Sequence, residues 1–216
     1  MWRFGGAIGL MFVLLLPAAS VSEASSRDRA GPKCPPAHSQ LLLADAQSQV
    51  FEAGEDEIYG CTYRKKRAYV LGHVRTCGSS GCGGVKREVL AGPVVAYEEV
   101  NVTGVARGGS EWWVVVRDLL TGRVLHRVPT GIPDAPNTLH LVGDGFAVAI
   151  VVKSDGAVAW IVQSGVDPSG YEVQAVDKTG SRLLASGPEI DPHSLALAGS
   201  TLYWLQGGKP VSAVLN

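Results

Sequence analysis

The sequence predicts an all-β fold: a small β-propeller-like array of about four short antiparallel blades over residues 39–216. Three observations carry that expectation. From Ser39 onward, short apolar and β-branched runs alternate with Gly, Asp, Ser and Pro clusters, the rhythm of strands and turns. Almost no stretch holds the 3.6-residue apolar spacing of a helix longer than two turns. Short segments also recur along the chain, as they do in stacked units that cannot bury both faces alone. A β-sandwich with a chance repeat is the alternative reading.

Residues 1–24 read as an export signal peptide. Arg3 supplies one positive charge, Gly5–Leu16 form an uncharged, mostly apolar run, Pro17 breaks it, and small residues follow through Ala24. That order of charge, apolar run and small residues is a secretory signal, and the run is short of the roughly 20 residues a spanning helix needs. Cleavage is expected after Ala24, with Ser20 the second choice; an uncleaved anchor is the alternative. A lipid anchor does not fit, because the first cysteine, Cys34, follows Gly31-Pro32-Lys33. The best later candidate for a span, Leu139–Val152, is short and contains Asp144, so no membrane span is expected after signal cleavage. The expected location is extracellular, secreted or associated with the cell envelope. Residues 25–38, rich in Ser, Arg, Asp, Gly and Pro, read as a flexible arm.

The formal net charge is −1, and it stays there without the leader because Arg3 and Glu23 leave together. Such a chain has no field to gather nucleic acid or an anionic membrane, so neither is an expected partner. The basic run Arg64-Lys65-Lys66-Arg67 lies between two β-like segments and reads as a solvated hairpin tip.

The mature chain keeps four cysteines: Cys34, Cys61, Cys77 and Cys82. An even count in an exported chain points to disulfides. The glycines in Cys77-Gly78-Ser79-Ser80-Gly81-Cys82 permit a tight local bridge. Cys34–Cys61 would then pin the arm to the first hairpin. The rival is a metal site built on His73, Cys77 and Cys82, but a fourth ligand and a second Cys pair are missing. No metal and no cofactor is expected.

The strands are expected, in order, at Gln40–Ala44, Gln49–Glu52, Glu57–Tyr63, Ala68–His73 and Lys86–Leu90. Then come Val94–Val100, Glu111–Asp118, Arg123–Val128, Gly145–Val152 and Ala157–Gln163. The last are Tyr171–Asp177, Arg182–Ala185, Ser194–Ala198, Thr201–Gln206 and Ser212–Leu215. Asp155-Gly156, Thr121-Gly122, Thr179-Gly180 and Gly207-Gly208 supply the turn residues of tight hairpins.

Self-comparison aligns Leu90–Tyr97, Leu141–Val148 and Leu197–Trp204 without gaps, and Ala53–Tyr59 with one inserted residue. Their turn glycines are Gly54, Gly92, Gly143 and Gly199. A second element repeats as Trp113–Gly122 and Tyr171–Gly180. Repeats of this kind are the sequence mark of propeller blades. The strands within 40–52 and the strands within 194–215 are expected to share one blade and so close the ring.

The stretch Asp177–Pro192 followed by Ser194–Trp204 resembles uncharacterised secreted actinobacterial proteins with β-propeller-like repeats. The resemblance extends over about residues 39–216 and is strongest at 177–204. It implies a fold and a compartment, and it carries no catalytic motif.

Motifs for chemistry are mostly absent. There is no Gly-x-Ser-x-Gly elbow, no His-Glu-x-x-His helix and no calcium loop. Lys209 is followed by Pro210, which spoils a phosphate loop. His38, His73, His126, His140 and His193 are not at ligand spacing, and a triad such as Ser194, His140 and Asp191 is an arbitrary choice. The carboxylate pairs Glu98-Glu99 and Glu55-Asp56-Glu57 read as solvated turns or strand ends. No catalytic residue is therefore assigned, and the enzyme question leans towards no. Aromatics give the best binding hint: Trp112, Trp113, Trp160, Tyr203 and Trp204 fall on strands, and neighbours on a strand face opposite sides. Exposed aromatics on a secreted β scaffold suit carbohydrate or peptide; filling the space between blades is the competing reading. The function that follows is a secreted binding or interaction module for an extracellular protein or carbohydrate. Loops around Arg75–Gly84, Val102–Ser110, Thr130–Thr138 and Gly165–Gly170 would carry the ligand. The alternatives are a secreted hydrolase or lyase with a site in the central channel, and a structural cell-envelope protein.

Overall fold

The computed structural model describes residues 33–35, 38–54, 56–74, 76–78, 81–103, 109–131, 145–163 and 169–216. The stretch expected to be an export signal (1–24) and most of the stretch expected to be an arm (25–38) lie outside the described residues. Four antiparallel sheets follow one another in chain order. The first holds β1 (Gln40–Ala44), β2 (Ser48–Ala53), β3 (Glu57–Thr62) and β4 (Tyr69–His73). The second holds β5 (Thr76–Gly78), β6 (Gly81–Ala91), β7 (Val94–Thr103), β8 (Gly109–Asp118) and β9 (Val124–Pro129). The third holds β10 (Ala147–Val152), β11 (Val158–Gln163), β12 (Tyr171–Asp177) and β13 (Gly180–Gly187). The fourth holds β14 (Ala196–Ala198), β15 (Thr201–Gln206) and β16 (Lys209–Val214). Each strand pairs with its neighbour in sequence, so the fold is all-β and propeller-like, as the strand rhythm predicts.

Three apolar seams bind the sheets face to face. Val50, Ile58 and Leu71 of the first sheet meet Val95, Tyr97 and Val115 of the second. The opposite face of the second sheet, through Val94, Ala96, Val114 and Val116, meets Ile150, Val158, Trp160 and Val162 of the third. Ala159, Ile161, Val173 and Ala175 on the far side of the third sheet meet Leu202, Trp204 and Leu215 of the fourth. Consecutive residues of the middle sheets therefore go into different seams. This is why Val158–Gln163 reads as an unbroken apolar run, whereas β15 alternates. Strands β1, β6, β10 and β14, one from each sheet, lie side by side in that order and define the inner line of the array.

The ends of the chain do not share a blade. Residues 40–52 pair with β3 and β4 in the first sheet, and residues 196–214 form the three-stranded fourth sheet by themselves. The physical reason is local: the β2–β3 and β15–β16 turns are tight, so each hairpin finds its partner nearby before a distant strand can compete. Among the described residues no apolar cluster joins the fourth sheet to the first. The glycine repeat also needs correction. Gly92 (φ 60°) and Gly199 (φ 60°) both follow the inner-line strand of their sheets, turning β6 into β7 and β14 into β15, but Gly54 (φ 70°) turns the β2–β3 hairpin, one strand further out. Gly143 lies outside the described residues. The second repeat does match in topology. Asp118 accepts hydrogen bonds from Leu120 N–H and the Thr121 hydroxyl, both at 2.7 Å, in the turn from β8 to β9. Asp177 accepts from Thr179 N–H and the Thr179 hydroxyl at 2.8 and 2.5 Å in the turn from β12 to β13. Both turns lead into the last strand of their sheet and are built by an Asp side chain standing in for backbone.

Cys34 and Cys61 form a disulfide with a Cα–Cα distance of 6.1 Å. It ties the arm to β3, and Lys33 bridges to Arg67 beside it. Cys77 and Cys82 are direct backbone partners between β5 and β6. Their side chains lie outside the described residues. Among the described residues no helix is long and apolar enough to cross a membrane.

Candidate functional site

Antiparallel meanders send alternate turns to opposite ends of a sheet. The β1–β2, β6–β7, β10–β11 and β14–β15 turns therefore lie at one end of the array. There Gln47, Gly92, Lys153 and Leu197 contribute, from all four sheets, to a single shallow depression of about 430 Å³. The turns are bolted together: Asp45 accepts from Gln47 and Ser48 N–H at 2.7 Å, and its second oxygen takes Gly92 N–H of the next sheet at 2.8 Å. Lys153 reaches the Leu215 carbonyl at 3.1 Å and Asp155 at 3.0 Å. Polar groups here are spent on each other.

The other end receives the strand ends opposite those turns. The four loop regions expected to carry a ligand lie partly outside the described residues, at 75, 79–80, 104–108, 132–138 and 165–168; the described strand ends that flank them, among them Thr103, Gly109, Gln163 and Tyr171, are at this end. Between the first and second sheets this end opens into a cleft of about 290 Å³, lined by His73, Gly84, Val85, Glu99 and Asn101 among others. Beside Glu99, the Arg127 guanidinium lies 4.1 Å from the centre of the Trp113 ring. Its Nε and Nη2 donate to the two Glu99 oxygens, each at 3.3 Å. A planar cation on an indole, held by a bidentate carboxylate, forms a stiff platform with apolar and polar parts. The Trp113 indole N–H finds no acceptor among the described residues.

On the opposite face of the same sheet, Trp112 meets Phe146 at 6.2 Å. Lys86 lies 5.4 Å from the Trp112 ring and Arg87 lies 5.6 Å from the Phe146 ring. Arg87 also donates to the Ala147 carbonyl. Glu98 is not a solvated strand end: it is 1 % exposed and accepts from Ala147 N–H at 2.5 Å. The alternation of β7 points it into the seam, where it joins the second sheet to the third. Glu99, one residue on, faces the cleft.

The five aromatics divide. Trp160 is fully buried and donates from Nε1 to the Thr130 carbonyl at 2.6 Å, filling the second seam. Trp204 is 3 % exposed and belongs to the third seam. Both therefore serve the space between blades and present no surface to a ligand. Trp112 and Trp113 are half-buried in different seams at the loop-bearing end, and Tyr203 stands 41 % exposed on the fourth sheet. Strand alternation separates Trp112 from Trp113 and Tyr203 from Trp204, but it does not reveal that Arg127 and Glu99 join Trp113. That constellation depends on the lateral register Glu99–Trp113–Pro129 across β7, β8 and β9.

Other titratable groups are committed to structure. Ser194 donates to the Asp191 carbonyl at 2.7 Å and accepts from Leu205 N–H at 2.8 Å. It is a turn residue, and His140 lies outside the described residues. A depression of about 310 Å³ holds His126, Asp155 and Asp177, but Asp155 pairs with Lys153 and Asp177 with Arg182. Burial alone would raise the Asp177 pKa. The hydrogen bonds from Thr179 and Asn216 N–H, with the Arg182 charge, outweigh it and hold the carboxyl at about 2. The basic run Arg64–Arg67 is exposed between β3 and β4. Among the described residues no cluster of His, Cys, Asp and Glu is arranged to hold a metal ion.

No known protein family matches the chain, and no curated protein resembles it. Solved structures that are distantly similar include the following two. One is a puromycin-hydrolysing peptidase of Mycobacterium tuberculosis, at 18 % identity and a TM-score of 0.41, with 81 % of this chain and 30 % of that one covered. The other is BamB from Moraxella catarrhalis, at 10 % identity and a TM-score of 0.29, with coverage of 80 % and 56 %. The chain thus spans about a third and about half of these proteins, and likenesses this remote say nothing of activity.

Proposed function

We propose that the protein is a non-enzymatic binding module acting outside the cytoplasm, with its ligand surface at the loop-bearing end of the second sheet. The observation that carries this reading is the platform of Trp113, Arg127 and Glu99 at the lip of the cleft. An indole edge offers an apolar surface, while Glu99, Arg127 and Asn101 offer acceptors and donors at fixed spacing. That mixture suits a saccharide, whose rings have apolar faces and hydroxyl rims, or a short peptide. Titration of tryptophan fluorescence with a panel of glucan, chitin and mannan oligosaccharides and proline-rich peptides tests the proposal. A saturable change with at least one of them is expected. Trp113→Ala should weaken that binding at least tenfold while leaving thermal unfolding cooperative. No response to any ligand in the panel, or equal binding by the variant, would count against it.

A hydrolytic reading has one observation in its favour: His73 and Glu99 line the same cleft. Turnover of chromogenic glycosides or esters that disappears in His73→Ala would support it over binding alone.

A further inference from the structure

The basic run Arg64-Lys65-Lys66-Arg67 joins β3 to β4, and all four side chains are exposed. The backbone that carries them is held from both sides. Tyr63 N–H donates to the Gln47 carbonyl at 3.0 Å, and Lys65 N–H donates to the Thr62 hydroxyl at 3.2 Å. The Lys65 ammonium and the Tyr69 hydroxyl both donate to the Leu120 carbonyl, at 3.0 and 3.5 Å. Those two bonds fasten this turn to the β8–β9 turn of the second sheet, where Arg123 also stands exposed. The carboxylates on the neighbouring turns do not answer this charge. Asp45 is occupied by the N–H groups of Gln47, Ser48 and Gly92, and Asp118 by Leu120 N–H and the Thr121 hydroxyl. Among the described residues no carboxylate pairs with Arg64, Lys66 or Arg123. Between the same two turns lies a recess of about 240 Å³. Ala46, Pro93 and Leu120 give it an apolar lining, and Arg64 and the exposed Tyr63 line it too.

We propose that this corner of the first and second sheets docks an acidic peptide segment of a partner protein, a stretch of Asp and Glu that carries one aromatic or aliphatic anchor. The anchor enters the recess against Leu120 and Tyr63, and the flanking carboxylates meet Arg64, Lys66 and Arg123. Charge complementarity fixes the sign of the partner. The net charge of −1 does not oppose this, because a field in salt acts only over about 10 Å and the local cluster decides it. The recess fixes the rest of the chemistry. A bare polyanion has no group to place in an apolar hollow, whereas a peptide places a side chain there. An anionic membrane calls for apolar side chains that project from the protein, and here Pro93 and Leu120 are half-buried. The hydrogen bonds that hold the turn set its backbone before binding, which spares part of the ordering cost. This surface lies at the end of the sheets opposite the Trp113 platform, so it stands apart from the site proposed there.

Fluorescence polarisation of labelled poly(Glu,Tyr), a random acidic copolymer with aromatic anchors, against protein expressed from the full-length chain tests this. Poly-Glu, heparin and phosphatidylglycerol vesicles are the comparators, the vesicles read by co-sedimentation. Saturable binding of poly(Glu,Tyr) is expected at about 50 mM NaCl, weakening as salt rises to about 300 mM. Poly-Glu should bind roughly tenfold more weakly, because it buries no apolar side chain. Arg64→Ala combined with Lys66→Ala should weaken poly(Glu,Tyr) by roughly tenfold. Tyr63→Ser should erase most of its advantage over poly-Glu. Trp113→Ala should leave it unchanged, which separates this surface from the cleft. Absence of saturable binding overturns the proposal, and so does binding that the double substitution leaves intact. Poly-Glu or heparin bound as tightly as poly(Glu,Tyr) would make the surface a general polyanion site, and retention on the vesicles would make it a membrane contact. Either result also overturns it.

Discussion

Asp177 shows how much one side chain can hold in this fold. Its Oδ2 takes Arg182 at 2.5 Å and Asn216 N–H at 2.8 Å, while Oδ1 takes Thr179. The same Arg182 Nη2 reaches the Val214 carbonyl at 3.1 Å. The last strand is thereby fastened to the third sheet through one buried carboxylate. With its folded pKa at about 2, below the ordinary carboxylate value, Asp177 contributes stability that is complete above about pH 4. That contribution is lost as pH falls from 4 through 2. Asp177→Asn should cost about 2 kcal/mol at pH 6, the scale of charge-assisted hydrogen bonds lost in a buried place. Urea unfolding of both proteins from pH 6 to pH 2 should show the gap closing at the acid end. A gap independent of pH would mean that packing, not charge, holds the strand. Asp177 was legible in the sequence only as part of a repeat with Asp118. Its partners Arg182 and Asn216 come from a hairpin return and from a different sheet, and no local pattern announces them.

At the level of elements the sequence was most readable where chemistry is local. Gln40–Ala44, Tyr171–Asp177 and Thr201–Gln206 are strands as their composition requires. Gly122 turns β8 into β9 at φ 77°, and a Cβ there would stand 2.3 Å from the Tyr69 ring, so the position admits only glycine. β5 escaped notice because Thr76-Cys77-Gly78 is three residues with no apolar run, and only pairing to β6 makes it a strand. Glu98 was read as solvated because two adjacent carboxylates look like a surface, yet alternation sends one inward and one outward. The Cys34–Cys61 bond closes a separation of 27 residues between the arm and β3. Replacing Cys61 by Ser should cost about 3 kcal/mol by the loop-entropy relation. Guanidinium unfolding measures it: a loss below 1 kcal/mol would mean that the arm is held by its other contacts.

Across the whole molecule, neighbours in sequence are neighbours in space, from strand to strand and from sheet to sheet. Stability in such arrays is close to a sum over sheets and the seams between them. Among the described residues the fourth sheet has three strands and one seam, so it is the least supported unit. Native-state hydrogen exchange should find β15 and β16 amides opening well before those of β11 and β12. Equal protection throughout would show that all four sheets unfold as one unit. The array was legible because repeated local patterns add up. The separate sheets formed by the two ends of the chain were not, since sheet membership depends on which strand finds its partner first, and sequence similarity between repeats does not record that.

The serial layout also permits assembly in chain order. As the chain emerges, the first sheet can complete itself from its own four strands and lock with its own disulfide. Each later sheet then condenses against a finished wall instead of waiting for a distant strand to be synthesised. The fold is thus suited to building vectorially, one wall at a time, with little time spent as a long unfolded coil.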